Sequence, residues 1–312
     1  MKNIRYKLLN TIRGGSYAQR QVLPLIFRLV NRKLCVRRKR FAHQLRTSQY
    51  TEIPKDIGFI RAELTDMSVA EEVILDAEEK AKHPNNKQTL QGIYDPLHYD
   101  SLEEASLDLE SPYLRFCLQD EIIGIVSRYF GEIPILTHVG VWHASPKNFV
   151  GDGYSETQFF HCDGDGNTQI KIFLYATNVT KESGPFTIMD VNQSRIARRR
   201  LRYRYYAPKF SFRHSHVYRV TDDEMRNVLP NYSITECIGD RGSIFMGDPG
   251  KCFHYGARTE VGHSRVMAWF SFHPISQTYI PKKKSRLSPP FRSLAASSPN
   301  LSETQRLVLG SR

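Results

Sequence analysis

A chain of 312 residues, 40% hydrophobic and 11% aromatic, can bury a sizeable core without covalent staples, which excludes a small disulfide scaffold. Its five cysteines, Cys35, Cys117, Cys162, Cys237 and Cys252, are odd in number and form no C-x-x-C pair, so a reducing, cytoplasmic setting is expected. The net charge of +12 is uneven, because residues 1–50 hold 13 Lys/Arg and no Asp/Glu, leaving the other 262 residues close to neutral.

Residues 1–50 read as a basic extension. Within it Val22-Leu23-Pro24-Leu25-Ile26-Phe27 and Leu29-Val30, interrupted by Arg28, are too short to span a bilayer and lack a small-residue cleavage site. A basic arm packed on the domain is the first expectation, with peripheral contact to anionic lipid as an alternative. Nucleic-acid binding has no zinc-finger spacing or RNA-motif signature to support it. A single domain is expected over residues 51–280. It opens with Ser68 and Glu71, which have the spacing of a capping box ahead of a helix over Val69 to Lys82. Ser111-Pro112 starts a second helix, with Leu114, Leu118, Ile122, Ile125, Val126 and Tyr129 on one stripe and Gly131 as its stop. Pro134 to His143 reads as a core strand, with His138 and His143 structural.

The stretch Gln158-Phe159-Phe160-His161-Cys162-Asp163 carries the chemistry. Residues i and i+2 of a strand project to one side, so His161 and Asp163 can reach one metal while Cys162 points away. Two imidazoles and one carboxylate leave three positions open on a ferrous ion, enough for a chelating co-substrate and dioxygen. The same H-x-D spacing occurs at His98-Tyr99-Asp100, after Pro96 and before a Ser/Glu-rich run, where no strand is expected. Asp165 could replace Asp163 only if the strand ran on through Gly164 and Gly166.

Thr168 to Val179 alternates as a buried strand and ends in the turn chemistry of Lys181-Glu182-Ser183-Gly184-Pro185. Lys171, Phe173 and Tyr175 share one face of it, and alternation alone leaves open whether that face meets a co-substrate or solvent. Ser194 to Val220 is an acid-free basic insertion with nine Lys/Arg interleaved with aromatics. It reads either as a solvated hairpin or as a lid whose Arg198, Arg199 and Arg200 receive an anionic substrate. Its His214-Ser215-His216 lacks the glutamate that would complete a metal motif. Gly239 to Gly256 reads as turn, short strand, turn and short strand ending at His254, the remaining metal ligand; Cys252 is expected to be a structural thiol. His263 lies in an exposed turn and His273 at a strand end, both weaker alternatives to His254. Ser264 to Phe272 alternates again. Paired as a hairpin with the strand at His254, it would bring Arg265 over the metal pocket, where a planar guanidinium suits a dicarboxylate. From 281 to 312 a Lys/Ser/Pro-rich tail is expected to be mobile, apart from a short helix at Leu301 to Leu309.

Taken together, Gln158 to Asp163, the strand Lys171 to Val179 with its Gly184-Pro185 exit, and His254 with Arg265 resemble the phytanoyl-CoA dioxygenase-like group of Fe(II)/2-oxoglutarate oxygenases over roughly residues 135–273. That resemblance implies a mainly β fold with flanking helices, a double-stranded β-helix (jelly roll, cupin-like) with the metal in its mouth. It implies Fe(II) held by His161, Asp163 and His254, 2-oxoglutarate anchored by Arg265, dioxygen as second co-substrate, and hydroxylation of a small-molecule, lipid or sugar-type substrate. Halogenating relatives lack the carboxylate that Asp163 supplies. Met189-Asp190-Val191-Asn192-Gln193-Ser194 departs from the Gly-Ser-His turn that many relatives carry, so no relative's substrate transfers. The competing class is a non-catalytic jelly-roll module that uses its basic segments on anionic lipid or nucleic acid.

Overall fold

The computed structural model describes residues 22–45, 50–82, 97–101, 107–144, 154, 156–164, 167–205, 218–276 and 291–311. Asp165, the His214-Ser215-His216 motif, residues 1–21, most of the insertion's second half and residues 281–290 lie outside them.

Among the described residues, nine strands form two antiparallel sheets. Strands β1 (Phe59–Ala62), β2 (Leu97–Ser101), β3 (Ile135–Ala144), β4 (Ile170–Tyr175), β7 (Ile244–Gly247) and β9 (Arg265–His273) make the larger sheet in the order β1-β7-β4-β9-β3-β2. The smaller sheet has the order β6-β5-β8, from β5 (Thr187–Ile188), β6 (Thr235–Glu236) and β8 (His254–Tyr255). Isolated bridges Phe160↔Val220 and His161↔His254 extend it past β8. The sheets pack face to face: Phe173, Tyr175, Phe245, Met267 and Trp269 of the larger share one cluster with Phe186, Ile188, Cys237 and Cys252 of the smaller side. This is a double-stranded β-helix.

Alternation explains why the larger sheet is covered on both sides. Lys171, Phe173 and Tyr175 of β4 face the space between the sheets, while Ile170, Ile172 and Leu174 join Ile244, Met246, Val266, Ala268, Phe270 and Phe272 in a second core. Helix α3 (Ser68–Lys82) covers that outer face with Ala70, Val73, Ile74 and Ala77. Helices α4 (Pro112–Cys117) and α5 (Asp120–Phe130) add Leu114, Phe116, Ile122, Ile125 and Val126. The reading of the Lys171 face as solvent-exposed is therefore excluded.

Several local expectations need correction. The box at the start of α3 does not form: Ser68 N–H donates to Asp66 Oδ1 at 2.8 Å, and Glu71 is drawn away into an ion pair with Arg241 at 2.7 Å. The single helix expected over 112–130 is two, because Gln119 is extended (φ −63°, ψ 135°) and caps a new helix that opens with Asp120 and Glu121 at its positive end. Gly131, at φ 70°, ends it as predicted. Leu97–Ser101 is an edge strand on β3, so strand context alone does not separate the two H-x-D motifs. Most consequential, β8 and β9 are not a hairpin. β8 pairs with β5, whereas β9 lies between β3 and β4 in the opposite sheet.

The chain ends are tied together. Helices α1 (Val22–Val30) and α2 (Arg32–Gln44) lead into the domain; α6 (Val191–Arg200) and α7 (Asp222–Val228) flank the smaller sheet's cluster; α8 (Arg292–Ser297) and α9 (Glu303–Val308) close the chain. Phe291, Ala295, Leu307, Val308 and Leu309 are buried in the helix-covered core, so the mobile tail expected from 281 does not extend through 291–311. Arg38 of α2, 1% exposed, donates to the carbonyls of Ile133 (2.9 Å), Pro134 (3.0 Å), Leu307 (2.7 Å) and Ser311 (3.2 Å). All five cysteines are free and buried.

Candidate metal centre

His161 and His254 are opposed on neighbouring strands. Each backbone N–H donates to the other's carbonyl at 3.0 Å, which sets their rings 4.1 Å apart between centroids. Asp163, two residues on, is fixed by its N–H to Pro249 O at 2.8 Å and projects to the same side as His161. Its Oδ1 lies 3.8 Å from His161 Nε2 and 3.6 Å from His254 Nε2. Ligand atoms of all three residues fall within 4.8 Å of one another. Donors each about 2.1 Å from one ion stand roughly 3 to 4 Å apart, so the 3.8 and 3.6 Å separations of Asp163 Oδ1 from the two rings fit a single transition metal.

Protonation fits as well. His161 Nδ1 is 2.8 Å from Phe159 O and His254 Nδ1 is 3.1 Å from Cys252 O. A carbonyl only accepts, so each Nδ1 carries the proton and each Nε2 turns a lone pair toward Asp163. Burial keeps both rings neutral, pushing His161 well below the ordinary imidazole value and His254 down to about 4. Burial alone would raise the Asp163 carboxyl, but the charge and hydrogen bond of Lys171, with the more distant charge of Arg219, work against it, and the group lies below the usual carboxylate value. Lys171 Nζ and Gln169 Nε2 both bind Asp163 Oδ2 at 2.7 Å. With Oδ2 engaged twice, Oδ1 is the oxygen left to a metal. Lys171 is itself held over the rings of Trp142 and Trp269, 5.5 and 5.3 Å from their centroids.

Arg265 reaches the same inter-sheet space from the opposite sheet to His254. It is 2% exposed, hydrogen-bonded to Tyr175 and 3.5 Å from Met267 Sδ, and its Nε has no partner among the described residues. Gly256 gives it room, since a Cβ there would stand 3.1 Å from Arg265 Nη2. Tyr175 in turn donates to Cys237 O at 2.5 Å. Lys171 thus stands at the metal end of one strand face and Tyr175 at the arginine end, with Phe173 between them.

The weaker ligand candidates fall away. His263 is exposed; His273 is buried against Thr137 Oγ1 at 2.8 Å; Cys252 lies 3.6 Å from Ile57 O, away from the triad. The three arginines proposed to share a substrate do not share a surface. Arg198 is 2% exposed, donates to Lys251 O and approaches Cys162 Sγ at 3.7 Å, whereas Arg199 and Arg200 are exposed, the latter bonded to Val228 O at 2.6 Å. Helical spacing in α6 turns positions 194, 197 and 198 to the core and 199 and 200 outward.

Sequence reasoning missed three contributors. Gln169 sits one residue before β4 and carried no motif. Arg219, beside the bridge at Val220, lowers the pKa of His161 and Asp163 but was indistinguishable among nine basic residues. Asp248, fully buried, accepts from Tyr129 (2.8 Å), Thr168, Gln169 N (3.2 Å) and Gly250 N (3.1 Å), so it braces both Gln169 and the turn that holds Asp163. The Gly247-Asp248-Pro249-Gly250 turn was its only signal.

No protein-family model and no curated protein matches the sequence. Among solved structures, the epimerase SnoN in complex with Fe3+, alpha ketoglutarate and nogalamycin RO aligns over 81% of this chain and 93% of its own, at 13% identity and TM-score 0.48. AviO1 from Streptomyces viridochromogenes Tue57 aligns over 73% and 94%, at 11% identity and TM-score 0.45. EctD from S. alaskensis with 2-oxoglutarate and 5-hydroxyectoine aligns over 71% and 73%, at 12% identity and TM-score 0.48.

Proposed function

We propose that this chain is an Fe(II)- and 2-oxoglutarate-dependent dioxygenase that hydroxylates a small molecule. The observation that carries the reading is the convergence of two neutral histidine Nε2 atoms and one aspartate Oδ1 in the space where the buried, incompletely satisfied Arg265 also ends. His161, Asp163 and His254 would hold the metal facially and leave positions open for ligands. Bound ferrous iron supplies activation of dioxygen coupled to oxidative decarboxylation of a chelating 2-oxo acid.

The chain's own residues supply the rest. Phe159 O and Cys252 O fix the imidazole tautomers; Gln169 and Lys171 hold Asp163 ionised and turned; Arg265, backed by Tyr175, receives the far carboxylate of 2-oxoglutarate through a two-point contact. Phe173, Phe186, Met267 and Trp269 exclude water from the space between these groups. Lys171 is the second cation facing that space and is placed to meet a carboxylate near the metal end. An anionic substrate remains a proposal that the α6 arginines do not support as a group; Arg219 is the basic residue of the insertion that stands at the metal.

Anaerobic titration of the Fe(II)-loaded protein with 2-oxoglutarate tests this. A charge-transfer absorption that needs all three ligands, and succinate formation on admitting oxygen, are expected. Iron binding that survives removal of His161, Asp163 and His254 together would sink the reading.

A further inference from the structure

We infer that α1 and α2 dock the protein on an anionic phospholipid surface. The two helices turn different chemistry to solvent. In α1, Val22 (47% exposed), Leu25 (60%) and Leu29 (77%) stand outward on one stripe, with Arg28 at its edge. In α2, Cys35 and Arg38 are buried, and Leu34, Phe41, Ala42 and Leu45 pack inward. Its outer face is Arg32, Lys33, Lys39 and Arg40 around an exposed Val36 (62%). An apolar wedge is thus followed directly by a cationic helix clamped to the domain through Arg38.

Water is a poor partner for three adjacent aliphatic side chains, and α2 already spends its inward face on the core. A bilayer interface suits both helices at once: aliphatic side chains enter the acyl boundary while the ammonium and guanidinium groups stay among phosphates. No helix among the described residues is long and apolar enough to cross a membrane, so the contact lies on the surface. Charge decides between occupants. Residues 1–50 carry 13 cations and no acid, so a symmetric contact between two copies would set like charges together. A nucleic acid would match the cations and leave Leu25 and Leu29 without a partner.

Flotation of the full chain with vesicles of phosphatidylcholine, and of phosphatidylcholine carrying about one quarter phosphatidylglycerol, tests the proposal at low and high salt. The protein is expected to float only with the anionic vesicles and to be released by salt. Leu25→Asp with Leu29→Asp should cut binding at least ~10-fold. Replacing Arg32, Lys33, Lys39 and Arg40 by Gln together should cut it on the order of 100-fold or more. Both variants should keep the parent's far-UV circular dichroism, because the altered side chains stand in solvent. As a second measure, Leu29→Cys carrying a polarity-sensitive dye, selective because the native thiols are buried, should shift to the blue on adding anionic vesicles. Protein that stays unbound with anionic vesicles, or leucine variants that bind as well as the parent, overturn the proposal. So does retention of an RNA duplex, or loss of a dimer in the leucine variant, without vesicle binding.

Discussion

Arg38 and Arg265 are equally buried and differ in what they touch. Arg38 spreads its guanidinium over four backbone carbonyls, two just before β3 and two in the C-terminal segment, whereas Arg265 meets only a phenol and a thioether; the Nε of each has no partner among the described residues. A buried cation is costly unless hydrogen-bonded. The terminal nitrogens of the first arginine are met by backbone carbonyls and tie the fold together; those of the second find no carbonyl or carboxylate among the described residues, which is what the proposed function would use.

Breaking the first should have the largest effect. Arg38→Met strips a charged donor from four buried acceptors and is expected to lower unfolding free energy by about 3 to 5 kcal/mol in urea titrations, while the folded fraction binds iron normally. Arg265→Leu should show the reverse pattern. Stability is expected to hold or rise by about 1 kcal/mol, iron to remain, and affinity for 2-oxoglutarate to fall at least ~100-fold by calorimetry. Equal loss of iron or a collapse in stability would make Arg265 a structural residue like Arg38. Gly256→Ala sharpens the contrast from the other side. Its Cβ, 3.1 Å from Arg265 Nη2, should displace the guanidinium and weaken 2-oxoglutarate about 10-fold, with iron affinity unchanged. The smallest effect is expected at the exposed Arg241, which binds Glu71 in bidentate fashion. Glu71→Ala should cost under about 1 kcal/mol, much of it screened by salt.

The convergence of His161, Asp163 and His254 was legible in the sequence because its signals are local. Strand spacing alone places His161 and Asp163 on one side, and the Gly-Asp turns before His254 confine it to a short strand. The hairpin expected to carry Arg265 does not form, since β9 pairs with β3 and β4 and not with β8, and sheet membership depends on contacts far along the chain. Which face of β4 looks inward could not be read either, because helices cover the other face as completely. The capping box failed for a similar cause: Arg241, distant in sequence, outcompetes a backbone N–H for Glu71. Asp248 and Gln169 brace the site through hydrogen bonds whose partners alternation and composition do not reveal.

On the proposed function, the reciprocal backbone bonding of His161 with His254 would make metal acquisition a late event in the protein's life. Neither imidazole has its tautomer-fixing carbonyl or its neighbour until β8 has been synthesised and the smaller sheet has closed across a long loop, a slow step for non-local strands. Once closed, the ladder holds two of the three ligands in register without help from an ion. Iron would therefore enter a finished seat rather than nucleate one, and its loss should leave a folded protein competent to be reloaded.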